Sequence, residues 1–346
     1  MTRTSALPDL PDGWTAVDTR GPGPFVTHAV LRRPDGAEVE WTSRRHRKGL
    51  GLRARAAAAP GLAGPATAPT PTGVALAPAP ADTGRRHGAD AWSWWIGALF
   101  AIGSVCFALG SVPAYVEAVA PAVTAWTFAV GSVFFTSAAY LQYDEAARAP
   151  RDVLATAPPR SRLAALVGFR ADRIDLWASA VQLVGTVLFN VSTFSATRTG
   201  LAVAGDKTLV WAPDVLGSVC FLVASWFAYA EVNRGVLPRP DRSVGWTIAG
   251  LNMAGSVAFG VAAVAARYLH GTDEMANVAL VNAGTFVGAV CFLGGAVLLP
   301  VESARDRTPQ RPRAHPSRTT KAPHRPCGEG PSCWCAIRDS NPEPAD

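Results

Sequence analysis

The chain has 346 residues, a net charge of +6 and a mean hydropathy of +0.16, with 49% hydrophobic and 17% charged residues. That charged share is well below the roughly 25% of soluble domains, which excludes a disordered polar chain and argues against an ordinary soluble enzyme. Six cysteines are too sparse for a disulfide scaffold.

Residues 1–55 form a basic segment. Its first nine residues hold no apolar stretch, so no cleaved signal is expected and the first span inserts as an uncleaved anchor. Residues 25–43 alternate apolar and polar around Pro34-Asp35-Gly36, which predicts a β-hairpin. A lone hairpin is marginal in water, so it needs a partner or a membrane surface. Arg44, Arg45, Arg47 and Lys48 follow at once and are expected to touch anionic lipid headgroups. No nucleic-acid partner is expected. Residues 56–90, rich in Ala, Pro, Gly and Thr, read as a disordered linker.

Residues 91–302 read as a polytopic all-α membrane domain. Six apolar runs reach the roughly 20 residues that cross a ~30 Å hydrocarbon core. They lie near 92–112, 122–142, 176–196, 209–230, 245–267 and 277–299. Trp92, Trp94, Trp95, Trp177, Trp211 and Trp246 sit near their ends, as interfacial anchors do. The loop after the second run carries Arg148, Arg151, Arg160, Arg162, Arg170 and Arg173, and the loop after the fourth carries Arg234, Arg239 and Arg242. The alternate loops are poor in basic residues. The positive-inside rule therefore puts the rich loops and both termini in the cytoplasm of a multi-pass cell-membrane protein.

Every run contains Gly-(Ser/Thr/Ala)-Val-x-Phe near its middle. The pairs are Gly103 and Phe107, Gly131 and Phe135, Gly185 and Phe189, Gly217 and Phe221, Gly255 and Phe259, and Gly288 and Phe292. Residues four apart share a helix face, so each glycine opens a notch and each phenylalanine offers a knob one turn away. Helices in a bilayer associate by such close packing, because lipid tails are as apolar as leucine. The small hydroxyls at Ser104, Ser132, Thr186, Ser218 and Ser256 can add interhelical hydrogen bonds. Gly284 and Gly288 add a GxxxG. Cys106, Cys220 and Cys291 are small packing residues within the motif.

Ten residues after Phe135, Phe221 and Phe292 stand Glu145, Glu231 and Glu302. The repeating unit is thus a helical hairpin present three times, at 92–145, 176–231 and 245–302, with parallel rather than inverted repeats. The glutamates are expected at solvated cytoplasmic helix ends, pairing with loop arginines.

This pattern resembles the YrhK-like family of small bacterial membrane domains. The likeness covers 92–145 best and 209–231 and 245–302 in part, while the 176–196 copy departs with Gln182, Thr186 and Asn190. The resemblance implies a helical membrane hairpin and brings no catalytic residues.

Intramembrane polar groups are the remaining candidates for chemistry. Asp214, after Trp211-Ala-Pro213, is expected near the start of its helix, where the dipole favours a carboxylate. Gln182, Asp214 and Asn252 each stand three residues before a motif glycine, so they are expected to share one polar layer. P-loop, GxSxG, HExxH and GxGxxG signatures are missing, and no catalytic residue, cofactor or metal site is expected. The favoured reading is a non-enzymatic scaffold, sensor or accessory membrane subunit, alone, as a homo-oligomer or with a membrane-protein partner. The alternative is a small-solute or ion channel or transporter using the Gln182, Asp214 and Asn252 layer.

Residues 303–346 read as a disordered cytoplasmic tail, with Cys327, Cys333 and Cys335 forming only a weak zinc pattern. Arg338-Asp-Ser-Asn-Pro342 back-translates to the antisense of a tRNA T-arm. The final stretch is therefore expected to be translation into a neighbouring gene of a high-GC bacterium.

Overall fold

A computed structural model describes residues 7–55, 83–154, 170–199, 202–238, 243–269 and 275–307. The chain divides into Met1–Pro309 and Gln310–Asp346, and the second unit lies outside the described residues. Also outside them are linker residues 56–82 and Arg160, Arg162, Arg239 and Arg242; the second unit includes the tail cysteines and the stretch ending at Pro342.

The N-terminal segment folds into four antiparallel strands in sequential order: β1 (Thr15–Arg20), β2 (His28–Arg32), β3 (Glu38–Thr42) and β4 (Arg53–Ala54). Strands β2 and β3 join through a turn in which Gly36 takes φ +84°, a conformation that costs a glycine little. There Asp35 Oδ1 accepts from the Ala37 amide. Ala29, Leu31 and Trp41 turn inward onto Leu7, Val26 and Val153. Val153 comes from the loop after the second long helix, where the Asp9 amide donates to Arg151 O and the Val153 amide to Asp9 O. The sheet is thus completed by its outer strands and by a distant loop, which is how a marginal strand pair acquires a core. Helix α1 (Ser43–Arg47) follows β3 directly, with Thr42 Oγ1 accepting from the Arg45 amide as its N-cap.

The remaining helices are α2 (Thr83–Gly110), α3 (Pro113–Ala118), α4 (Pro121–Ala147), α5 (Ile174–Ala196), α6 (Val203–Asn233), α7 (Val244–Ala265) and α8 (Val278–Arg307). All but α3 are long and apolar enough to cross a membrane. The long helices pack each against the next along the chain, and α8 packs against α2, so six helices close into a ring. Helices α2, α5 and α7 start at the end that carries the sheet; α4, α6 and α8 return to it.

Three expected boundaries are corrected. Helix α2 begins at Thr83 and takes the last part of the 56–90 linker. Helix α8 runs past 302 to Arg307, into the expected tail. Helix α6 begins at Val203, so Asp214 is not in a first turn but well inside a continuous helix. The π turn at Lys207–Trp211 makes this continuity possible: Pro213 has no N–H to offer the Leu209 carbonyl, and the wider turn shifts the ladder around it.

The ring is sealed between its last and first helices by a related device. Pro300 lies inside α8 and leaves the Ala296 carbonyl without its ladder partner. Gly97 of α2 packs on that oxygen so closely that a Cβ there would lie 2.8 Å from it. One turn further, Ser303 Oγ donates to Ser93 Oγ at 2.9 Å.

Candidate functional site

The motif assigns each of its positions to a different environment. The six phenylalanines are 3–5% exposed, and the six valines two residues after the glycines are 45–52% exposed. One face of each long helix therefore meets the axis while another presents branched apolar side chains outward, as lipid contact requires.

The glycines work in reciprocal pairs. A Cβ on Gly103 would lie 2.9 Å from the Phe135 ring, and one on Gly131 would lie 2.9 Å from the Phe107 ring. Gly185 faces Phe221 while Gly217 faces Phe189, and Gly255 faces Phe292 while Gly288 faces Phe259. Five of the six glycines also abut the partner glycine's carbonyl oxygen, at 2.9–3.1 Å from an added Cβ, while Gly131 abuts Cys106 Cβ at 2.8 Å. Each notch thus receives the knob of the antiparallel neighbour. Gly284 does the same against Ala258 O and Ala262 of α7.

The knobs meet on the axis. Phe107, Phe189 and Phe259 form a triangle with centroids 6.0–6.2 Å apart. Phe292 lies 6.0 Å from Phe135 and 5.9 Å from Phe221. Links of 5.3, 4.8 and 5.7 Å within the pairs α2/α4, α5/α6 and α7/α8 join the two groups. Such aromatic pairs contribute about 0.5–1.5 kcal/mol each beyond their burial.

The small hydroxyls behave unevenly. Ser132 Oγ lies 2.9 Å from Thr193 Oγ1, and Ser256 Oγ 2.7 Å from Ser225 Oγ. Thr136 Oγ1 donates to Thr186 O and accepts from Asn190 Nδ2. Ser104 and Ser218 are buried without a hydrogen-bond partner among the described residues.

The expected polar layer does not form. Helices α5 and α7 run away from the sheet and α6 runs toward it. Three residues before the motif glycine therefore place Gln182 and Asn252 on the sheet side of the crossing but Asp214 on the far side. At about 1.5 Å per residue the offset along the axis is ~9 Å. Asn252 Oδ1 instead packs against Gly295 of α8, where an added Cβ would lie 2.6 Å away. No hydrogen bond links the three side chains among the described residues.

The second concentration of functional groups lies at the sheet-side end of the ring. There three of the four basic residues expected to meet lipid headgroups, Arg44, Arg47 and Lys48, meet helix-end carboxylates instead, and Arg45 meets backbone carbonyls. Arg47 Nη1 lies 3.0 Å from Asp175 Oδ2 and 3.7 Å from Glu231 Oε1. Arg44 Nη2 donates to Glu302 Oε1 at 2.6 Å, and Lys48 Nζ to Glu302 Oε2 and Asp306 Oδ2 at 3.0 and 2.8 Å. Arg45 Nη1 donates to Asp306 O at 2.8 Å, Ser43 Oγ to Glu231 Oε1 at 2.5 Å, and the His46 ring contacts Pro150 O at 3.0 Å. Arg173 pairs with Asp175 from the same cluster. Glu231 and Glu302 are buried, not solvated as the sequence suggested. A Cβ on Gly245 of α7 would stand 2.5 Å from Glu302 Oε1, so a larger residue there would require the Arg44–Glu302 pair to shift.

The electrostatics follow from this enclosure. Burial opposes the charge on Arg47, but Glu231, Asp175 and Glu145 outweigh it and hold the guanidinium above its usual range. Burial is also the main influence on His46 and holds its imidazole below the ordinary value, against the partial help of the Pro150 carbonyl. The released imidazole therefore binds a proton before the docked one does, and docking weakens as pH falls below about 6.5. Glu40 is held below the usual carboxylate range chiefly by its hydrogen bond with His28, and its contribution is lost only as pH falls below about 4.5. Protection of the β2 and β3 amides, taken as exchange relative to the intrinsic base-catalysed rate at each pH, should accordingly fall between pH 8 and pH 5.5. His46→Gln should flatten that dependence; an unchanged pH profile in this variant would remove His46 from the account.

Among the described residues, no group of three or more His, Cys, Asp and Glu side chains is arranged to hold a metal. Compared with known proteins, the chain matches no family model, no curated protein and no solved structure.

Proposed function

We propose that the protein is a non-enzymatic membrane scaffold or sensor, in which a closed helix ring holds the N-terminal sheet at the cytoplasmic surface of the cell membrane. The axis carries this reading. Each long helix contributes its buried motif phenylalanine to it, and α2 adds Phe100. Anything crossing along the axis would have to displace those rings and then pass Arg47 and its carboxylates. A transporter is expected to keep polar groups and broken helices at the midplane, not an aromatic plug.

The finer organisation belongs to the same proposal. The pairs α2/α4, α5/α6 and α7/α8 are three parallel repeats about an axis along the membrane normal. The reciprocal Gly–Phe contacts in each pair support this. Strands β2 and β3 act as the hairpin around which β1 and β4 assemble. Loop arginines at the sheet-side end support cytoplasmic termini. The YrhK-like resemblance is consistent with the location and adds no activity. As an accessory subunit, the protein would present its sheet to a partner.

Flux measurements test the reading. Proteoliposomes holding the protein should pass protons, potassium and small osmolytes no faster than empty vesicles, and Asp214→Asn should change nothing. A wild-type flux abolished by Asp214→Asn would replace the scaffold with a transporter.

A further inference from the structure

A cleft of about 710 Å³ opens between α6 and α7 in the half of the ring farther from the sheet. The corresponding interface between α4 and α5 explains its origin. There Thr136, Asn190 and Thr193 fill the space and hydrogen-bond across it. At the same positions relative to the motif phenylalanines, α6 and α7 carry Leu222, Gly260 and Ala263. Gly260 and Ala263 thus leave open, in the wall of the cleft, the space that Asn190 and Thr193 fill at the other interface. With Ala263 in the place of Thr193, the hydroxyl that Ser218 would have met is missing as well, so Ser218 Oγ, the counterpart of Ser132, lines the cleft without a hydrogen-bond partner among the described residues although Ser218 is only 2% exposed.

We propose that this cleft holds one acyl chain of an anionic phospholipid from the leaflet opposite the sheet, with the phosphate at Arg267. The walls are apolar, and the exposed valines Val219, Val261 and Val264 flank an opening toward lipid. From Val257 to Arg267, the stretch of chain that lines the cleft, is about ten residues, or ~15 Å as helix. That matches one leaflet of a ~30 Å hydrocarbon core. Arg267 is exposed at the mouth, where a guanidinium can take a phosphate in its planar fork. A void here would forfeit dispersion contacts along its whole length, which an acyl chain restores. The inference needs only the six spans and does not depend on the scaffold reading.

The test uses the full chain in nanodiscs containing phosphatidylglycerol with a photoreactive group in the middle of one acyl chain. Adducts should concentrate on peptides containing residues 215–222 and 257–264. Gly260→Leu, whose side chain would grow into the cleft, should cut that labelling several-fold, and Arg267→Gln should erase the preference over an equivalent phosphatidylcholine probe. Labelling spread evenly over the outward valines of all six long helices would overturn the proposal, and this wild-type pattern is decisive even if Gly260→Leu does not fold. Equal labelling by both probes in the wild type would overturn the role of Arg267.

Discussion

Arg47→Ala should detach the N-terminal sheet from the helix ring while leaving the ring intact. Arg47 is the charge shared by α5 and α6, through Asp175 and Glu231, with Glu145 of α4 close enough to reinforce it. Removing one partner of a buried ion pair costs about 3–5 kcal/mol, and the lower end applies here because Asp175 keeps Arg173 while Glu231 keeps only the Ser43 hydroxyl. Each 1.4 kcal/mol is tenfold in an equilibrium constant, so opening of the docked segment should rise by roughly two to three orders of magnitude. Hydrogen exchange reads this directly: amides of β2 and β3 should lose protection, and the middle of α5 and α6 should keep it. Arg47→Lys should fall between, since it retains the charge without the planar fork. Adding Asp175→Asn and Glu231→Gln to Arg47→Ala should recover part of the loss, because neutral amides no longer need the cation. Unchanged protection in Arg47→Ala would mean that α1 is held by packing alone.

The second large effect is steric. Gly217→Leu should open the α5/α6 interface and destabilise the ring by at least about 3 kcal/mol, at the upper end of overpacking costs. A Cβ at Gly217 would lie 2.5 Å from the Phe189 ring and 3.0 Å from Gly185 O. The ring could turn aside only into other phenylalanines, and the backbone oxygen could not move without moving α5. Val219→Leu, two residues later in the same motif, should change stability by less than about 0.5 kcal/mol, since Val219 is 49% exposed and faces outward. Thermal unfolding of both variants in one detergent decides the matter. Equal effects would show that the motif does not orient the helices.

These two sites differ in how far the sequence announces them. The helical spans are legible because a 20-residue apolar run has few other uses, and the Gly–Phe faces are legible because a spacing of four is local geometry. The charged cluster is not, because α1 and its partners are distant in the chain: Ser43 meets Glu231 and Arg44 meets Glu302. A basic run has the same composition whether it meets phosphate or carboxylate. The available hint was complementarity, with Glu145, Glu231 and Glu302 at matching helix ends and a short basic helix elsewhere on the chain. The polar layer of Gln182, Asp214 and Asn252 failed for another reason: counting from the glycine ignores that α6 runs opposite to α5 and α7. Asp214 was misplaced because proline ordinarily marks a helix start, while here a π turn carries the helix past it.

Closure of the ring is the claim on which both the plugged axis and the docked sheet depend, and it brings the first and last long helices together. Ser93 and Ser303, whose hydroxyl oxygens are 2.9 Å apart, report on it. Both should be replaced by cysteine in a chain whose six native cysteines are alanine, and the protein oxidised mildly in its native membrane. A closed ring gives a cross-link within one chain, formed in high yield and reversed by reductant. Absence of a cross-link, or one found only between two chains, would contradict the closed ring.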